Sequence, residues 1–143
     1  MIQRIQSIWL LLVAVCAFAT LKISTYAGNL IPEPTDLSGK VIYQELNGMS
    51  SAGNSIITIA VGILALVSIF IYSNRKLQIK LCVASFFIEL SLITLYYFST
   101  KMFKEGSYLI GAILHILIFV FLILAIMGIR KDAKIVEESS RLR

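Results

Sequence analysis

The chain has 143 residues, 58% of them hydrophobic and 15% charged, with a net charge of +5 and a mean hydropathy of +0.87. A soluble domain of this length is far less apolar, so the composition describes a membrane protein. Two cysteines without CxxC spacing and a single histidine exclude a disulfide framework, a thioredoxin-like pair, and any haem or metal centre that needs several histidines from one chain. No metal and no cofactor are expected.

Four apolar segments follow in order, roughly 5–23, 55–73, 79–99 and 108–129. Each is near the roughly 20 residues that a helix rising about 1.5 Å per residue needs to cross some 30 Å of hydrocarbon. Lipid offers the backbone no hydrogen-bond partner, and the alternation of a barrel strand is absent, so each segment is predicted to be a helix. The expected fold is all-α: one integral membrane four-helix bundle over residues 1–143. The first segment also resembles a signal peptide, with Ala17 and Ala19 forming an AxA-like end. Its charged region holds only Arg4, and apolar character runs on to Ile23 with Lys22 able to snorkel, so it is read as an uncleaved helix. A lipoprotein reading at Cys16 is disfavoured by the bulky Val15 before it.

Between the first two helices, Ser24 to Gly53 is punctuated by Pro32, Pro34, Gly39, Gly48 and Gly53 and holds a strand-like patch, Val41 to Tyr43. It is read as a polar connector folded over the bundle mouth, with a docking surface for an extracytoplasmic partner as the alternative. The links 74–78 and 100–107 are short, which makes consecutive helices antiparallel neighbours. Arg4, Arg75, Lys76, Lys80 and the five basic residues from Arg130 to Arg143 lie on the side of the amino terminus, whereas Lys22, Lys40, Lys101 and Lys104 lie on the other. Nine against four predicts both termini in the cytoplasm and loop 24–53 outside. The basic excess then matches anionic lipid headgroups and calls for no nucleic acid. The cytoplasmic tail 130–143 is expected to extend the fourth helix, because Lys134 with Glu138 and Glu137 with Arg141 stand at i, i+4.

The opening MIQRIQSIWLLL and the closing KDAKIVEESSRLR resemble the two ends of small inner-membrane proteins of Bacteroidota that form domain-of-unknown-function family 4293. Where the family commonly has an acidic third residue in its KDE-like run, this chain has Ala133. The resemblance implies a multi-pass tetraspan of the bacterial inner membrane with a retained first helix, and it carries over no catalytic residue.

One glutamate, Glu89, stands in the middle of the third apolar run. A charge at mid-bilayer costs about 2.5 to 3.5 kcal/mol on insertion scales, so such residues turn inward and find a partner. Cys82, Ser85, Phe86, Glu89 and Tyr96 fall on one helical stripe, the least lipid-like of the helix. On the fourth segment His115 shares a face with Tyr108, Gly111 and Ala112, and the small residues let a neighbouring backbone approach closely. Measured from a shared outer boundary, Glu89 and His115 lie roughly 15 and 10 Å deep, within reach of each other on adjacent antiparallel helices. The candidate site is therefore an intramembrane polar pair, Glu89 with His115. No nucleophile with its base, phosphate loop or water-accessible carboxylate pair is present, so the expectation is a non-enzymatic tetraspan, an accessory or scaffold subunit with the bilayer and other inner-membrane proteins as partners. The alternative is a proton- or quinone-handling subunit that uses Glu89 and His115.

Overall fold

A computed structural model of the chain describes residues 3–30 and 43–141. Four helices and three short strands run in the order α1 (Gln3–Ala19), β1 (Tyr26–Leu30), β2 (Tyr43–Leu46), α2 (Ala52–Phe70), α3 (Arg75–Thr100), β3 (Phe103–Tyr108) and α4 (Ile110–Arg141). Helices α2, α3 and α4 are long and apolar enough to cross a membrane, while the apolar part of α1, Ile5–Ala19, is shorter. Helix α1 packs on α2 and α4, and α3 packs on the same two.

Local chemistry sets the helix ends. The Ser51 hydroxyl accepts from the Asn54 N–H at 3.1 Å and starts α2 three residues before the expected boundary, since this cap satisfies a donor left open in the first turn. Asn74 does the same for α3 through the Leu77 N–H at 3.2 Å, so α3 begins at Arg75 rather than at 79. Helix α1 stops at Ala19, short of Ile23, where the Thr20 hydroxyl turns back onto the Ala17 carbonyl at 2.7 Å and the Thr20 carbonyl accepts from the Gly48 N–H at 2.9 Å. At the other end of the chain α4 continues without a break to Arg141, well past the apolar limit at 129. Its exposed Lys134 and Glu138 side chains approach to 3.9 Å; the side chains of Glu137 and Arg141 lie outside the described residues.

The all-α expectation needs correction: the fold is mostly helical with a small antiparallel sheet, ordered β2-β1-β3. Strands β1 and β2 come from the connection between α1 and α2, and β3 comes from the connection between α3 and α4. Tyr26 opposes Leu46 in one pairing and Tyr108 in the other, so both connections meet at one end of the molecule. Where β1 crosses β3, a Cβ on Gly28 would stand 2.1 Å from the Glu105 carbonyl oxygen, a backbone approach that only glycine permits. Tyr43 opens β2; the remainder of the strand-like patch, Val41 and Ile42, lies outside the described residues. The ring of Tyr26 meets Phe103 and Tyr108 edge to face at 5.2 and 5.1 Å, and this aromatic layer seats the sheet on Leu92 and Tyr96 of α3.

Each helix buries one stripe at alternating three- and four-residue spacing. The stripe runs through Gln6, Leu10, Val13, Ala17 and Thr20, then Asn54, Thr58, Val61, Ala65 and Ser68, with its equivalents on α3 and α4. That spacing is the seam along which helices interlock at a shallow crossing angle. The outward faces carry the bulky aliphatic and aromatic side chains, among them Phe70 at 79% exposure and Ile56 at 69%. Small, polar and aliphatic groups on the inward stripes with bulky apolar groups on the outward faces are the arrangement expected of helices that meet lipid.

Candidate functional site

On α3 the buried stripe is Gln78, Cys82, Ser85, Glu89, Leu92 and Tyr96; on α4 it includes Gly111, His115, Ile118, Leu122, Ala125, Ile129 and Asp132. The two stripes face each other and bring Glu89, 1% exposed, against His115, 2% exposed. Glu89 Oε1 and His115 Nδ1 are 2.5 Å apart, a short hydrogen-bond contact. On the far side of the ring, Nε2 lies 3.3 Å from the hydroxyl of Thr25, just ahead of β1. With the carboxylate ionised, Nδ1–H donates to it and Nε2 is left to accept from the threonine, a relay that fixes both tautomer and ring orientation.

The ring of Tyr96 rests against that of His115, with centroids 5.2 Å apart. Its hydroxyl is buried beside those of Thr58 and Thr25 but forms no well-shaped hydrogen bond. A cavity of about 190 Å³ lies between the sheet-side parts of α3 and α4, lined by Thr25, Tyr96, Tyr97, Tyr108, Ala112 and His115 among others.

The other expected residues divide. Ser85 bonds within its own helix, to the Leu81 carbonyl at 3.0 Å, one turn from Glu89. Cys82 sits further from the sheet, packed with Leu10, Ala125 and Ile129, and belongs to the apolar core rather than to the pair. Gly111 is indeed a point of close approach, but to the loop and not to a helix. Its N–H donates to the Ser24 carbonyl at 3.1 Å, and a Cβ there would stand 2.6 Å from that oxygen. Ala112 borders the cavity. Among the described residues no group of three metal-ligating side chains lies together.

A second polar cluster lies at the opposite end, and inspection of the sequence does not anticipate it. The Gln6 amide donates to the Asp132 carboxylate and lies 3.2 Å from the Gly128 carbonyl, while Arg75 donates to the Asp132 carbonyl at 2.8 Å. One layer below, Gln78 donates to the Ser68 carbonyl at 3.0 Å and ties α3 to α2. Hydropathy assigns Asp132 to a solvated tail. The usable signal was spacing, because Asp132 continues the buried stripe of α4 at the same three- and four-residue rhythm. Gln6 belongs to MIQRIQ and Asp132 to KDA, so the two terminal stretches that carry the family resemblance touch in the folded chain.

No curated protein and no solved structure matches this chain. A family profile matches residues 2–142, and the chain belongs to the family described as Domain of unknown function (DUF4293).

Proposed function

We propose that the protein is a non-enzymatic four-span bundle of the bacterial inner membrane that serves as an accessory or scaffold subunit of a larger membrane assembly. The observation that carries this reading is the enclosure of the Glu89–His115 pair, whose side chains are 1% and 3% exposed. Its polarity is directed at a neighbouring helix, and a tie of that kind supports fixed helix register. In this proposal α1 is the fourth span. Its 17 residues reach about 26 Å, at the short end of what crosses a bilayer, and its Leu10, Val13, Ala14 and Ala17 are part of the core. Both termini face the cytoplasm, and the sheet lies outside. There the exposed strand β3 offers other subunits a surface beyond the lipid.

Two measurements test the reading. Alkaline phosphatase fused after Gly39 should be active and the same enzyme fused after Arg143 inactive; activity at Arg143 contradicts the topology. Tagged at native level and extracted into mild detergent, the chain should keep a stoichiometric membrane partner through gel filtration, whereas a chain that runs alone contradicts the accessory role. A second reading, proton or quinone handling through the same pair, is favoured by the cavity that borders His115.

A further inference from the structure

We propose that the end of the bundle away from the sheet holds the phosphate of an anionic phospholipid where α3 meets α4, with Arg75 as its anchor and the neighbouring lysines around it. Residues 75–80 and 130–134 carry six basic side chains, Arg75, Lys76, Lys80, Arg130, Lys131 and Lys134, and one acid, Asp132. The Arg75 guanidinium donates to the Asp132 carbonyl at 2.8 Å across 57 positions of sequence, so the two stretches are one patch in the folded chain. Their single carboxylate does little to offset that charge at the surface, because Asp132 is 5% exposed and accepts from Gln6 inside the bundle. The five remaining basic residues are all exposed. Of them only Lys134 approaches a carboxylate among the described residues, Glu138 at 3.9 Å. Like charges gathered without counter-ions repel one another, and a bound anion relieves that repulsion.

Arg75 gives the patch a fixed point. Its bond to the Asp132 carbonyl occupies one of the five N–H donors of a guanidinium, and among the described residues no other partner takes the rest. A guanidinium already tied to a backbone carbonyl has less freedom left to lose, and its planar fork matches the paired oxygens of a phosphate. What separates a lipid from a dissolved anion is the wall beside this patch. Tyr72 and Leu77, which flank Arg75 in sequence, are 68% and 41% exposed, and Met127 on α4 is 62% exposed. Acyl chains would cover these side chains while the headgroup meets the basic residues; a free phosphate or an acidic polypeptide makes no use of them. Headgroup attraction of this kind acts within about 10 Å of the membrane surface, the level at which the apolar parts of α3 and α4 give way to charge.

The test is native mass spectrometry of the full chain in detergent, titrated with phosphatidylglycerol or with phosphatidylcholine of the same acyl chains. Phosphatidylglycerol should bind at least about tenfold more tightly. Lys76→Gln combined with Lys131→Gln should weaken its binding about tenfold at an unchanged melting temperature, and Arg75→Gln, which keeps an amide donor for the Asp132 carbonyl, should do at least as much. Lys22→Gln combined with Lys101→Gln removes the same charge from the sheet end and should leave the affinity as it was. Should Arg75→Gln not fold, the exposed lysine pair decides the matter. Equal affinity for the two lipids, unchanged binding in the folded variants of the basic end, or an equal loss in the sheet-end variant, which would mean attraction by net charge rather than a site, would each overturn the proposal. So would competition by glycerol phosphate or by a polyglutamate peptide as strong as by the lipid itself, which would assign the patch to a dissolved anion or to an acidic protein. None of these readouts requires a protein partner to be retained, so failure here is distinguishable from failure of the accessory role.

Discussion

The two ends of the helical body solve the same problem differently. Both bury polar side chains on the inward stripes, and both tie α4 to its neighbours. At the end away from the sheet, Gln6, Asp132, Arg75 and Gln78 are bonded to one another or to backbone carbonyls. The fit there is close, since a Cβ on Gly128 would lie 3.0 Å from Gln6 Cγ. At the sheet end, Glu89 and His115 are paired, Tyr96 Oη forms no well-shaped hydrogen bond, and a cavity borders His115 and Tyr96. A closed polar layer behaves as a clasp. One that borders a cavity is packed less tightly, since the atoms lining open space lack neighbours on one side.

That contrast can be broken most forcefully at Gly111, where the sheet end is seated on α4. Gly111→Leu would drive a side chain into the Ser24 backbone, whose oxygen stands 2.6 Å from the Cβ position. Overpacking of this kind costs about 1–3 kcal/mol and at times more. Thermal unfolding in detergent should show a loss larger than that of Gln6→Leu, Glu89→Leu or His115→Leu, with the β1 region exchanging amide hydrogens faster while the clasp residues keep their protection. Equal loosening at both ends would mean that the two layers are one cooperative unit.

Smaller in effect is the clasp itself. Gln6→Leu removes one donor to Asp132 and should cost about 1 kcal/mol, again by thermal unfolding, without altering amide exchange in β1 at the other end. Faster amide exchange in β1 in Gln6→Leu would show that the ends communicate, and the comparison would then have to be redrawn.

These two layers also differ in how readily the sequence reveals them. Glu89 and His115 are conspicuous because each interrupts the middle of an apolar run, where an ionisable group needs a special reason. Asp132 and Gln6 lie at the margins of their runs, where charge and amide look like ordinary solvated ends; only the three- and four-residue rhythm of burial marks them as inward. Helix existence was legible from hydropathy, and the ends were displaced by caps at Ser51 and Asn74, which apolar averaging does not weigh. The sheet was the least legible element. YAGNL, YQEL and FKEGSY are short, polar and glycine-bearing, and β1 pairs with a strand some eighty residues away, so the stabilising partner is invisible to any local window. Thr25 escaped notice for the same reason, since its place beside His115 follows from where that sheet docks.

The central claim, that Glu89 and His115 hold α3 and α4 in register, is tested most directly by a double-mutant cycle on unfolding in detergent or bicelles. Each single change, Glu89→Leu or His115→Leu, leaves a buried polar group without its partner and should destabilise by about 1–3 kcal/mol, or nearer the roughly 0.6 kcal/mol average found for hydrogen bonds between membrane helices. The double variant should lose less than the sum of the two, because the second change removes a group already orphaned by the first. Strictly additive losses, or single variants as stable as the parent chain, would contradict the account.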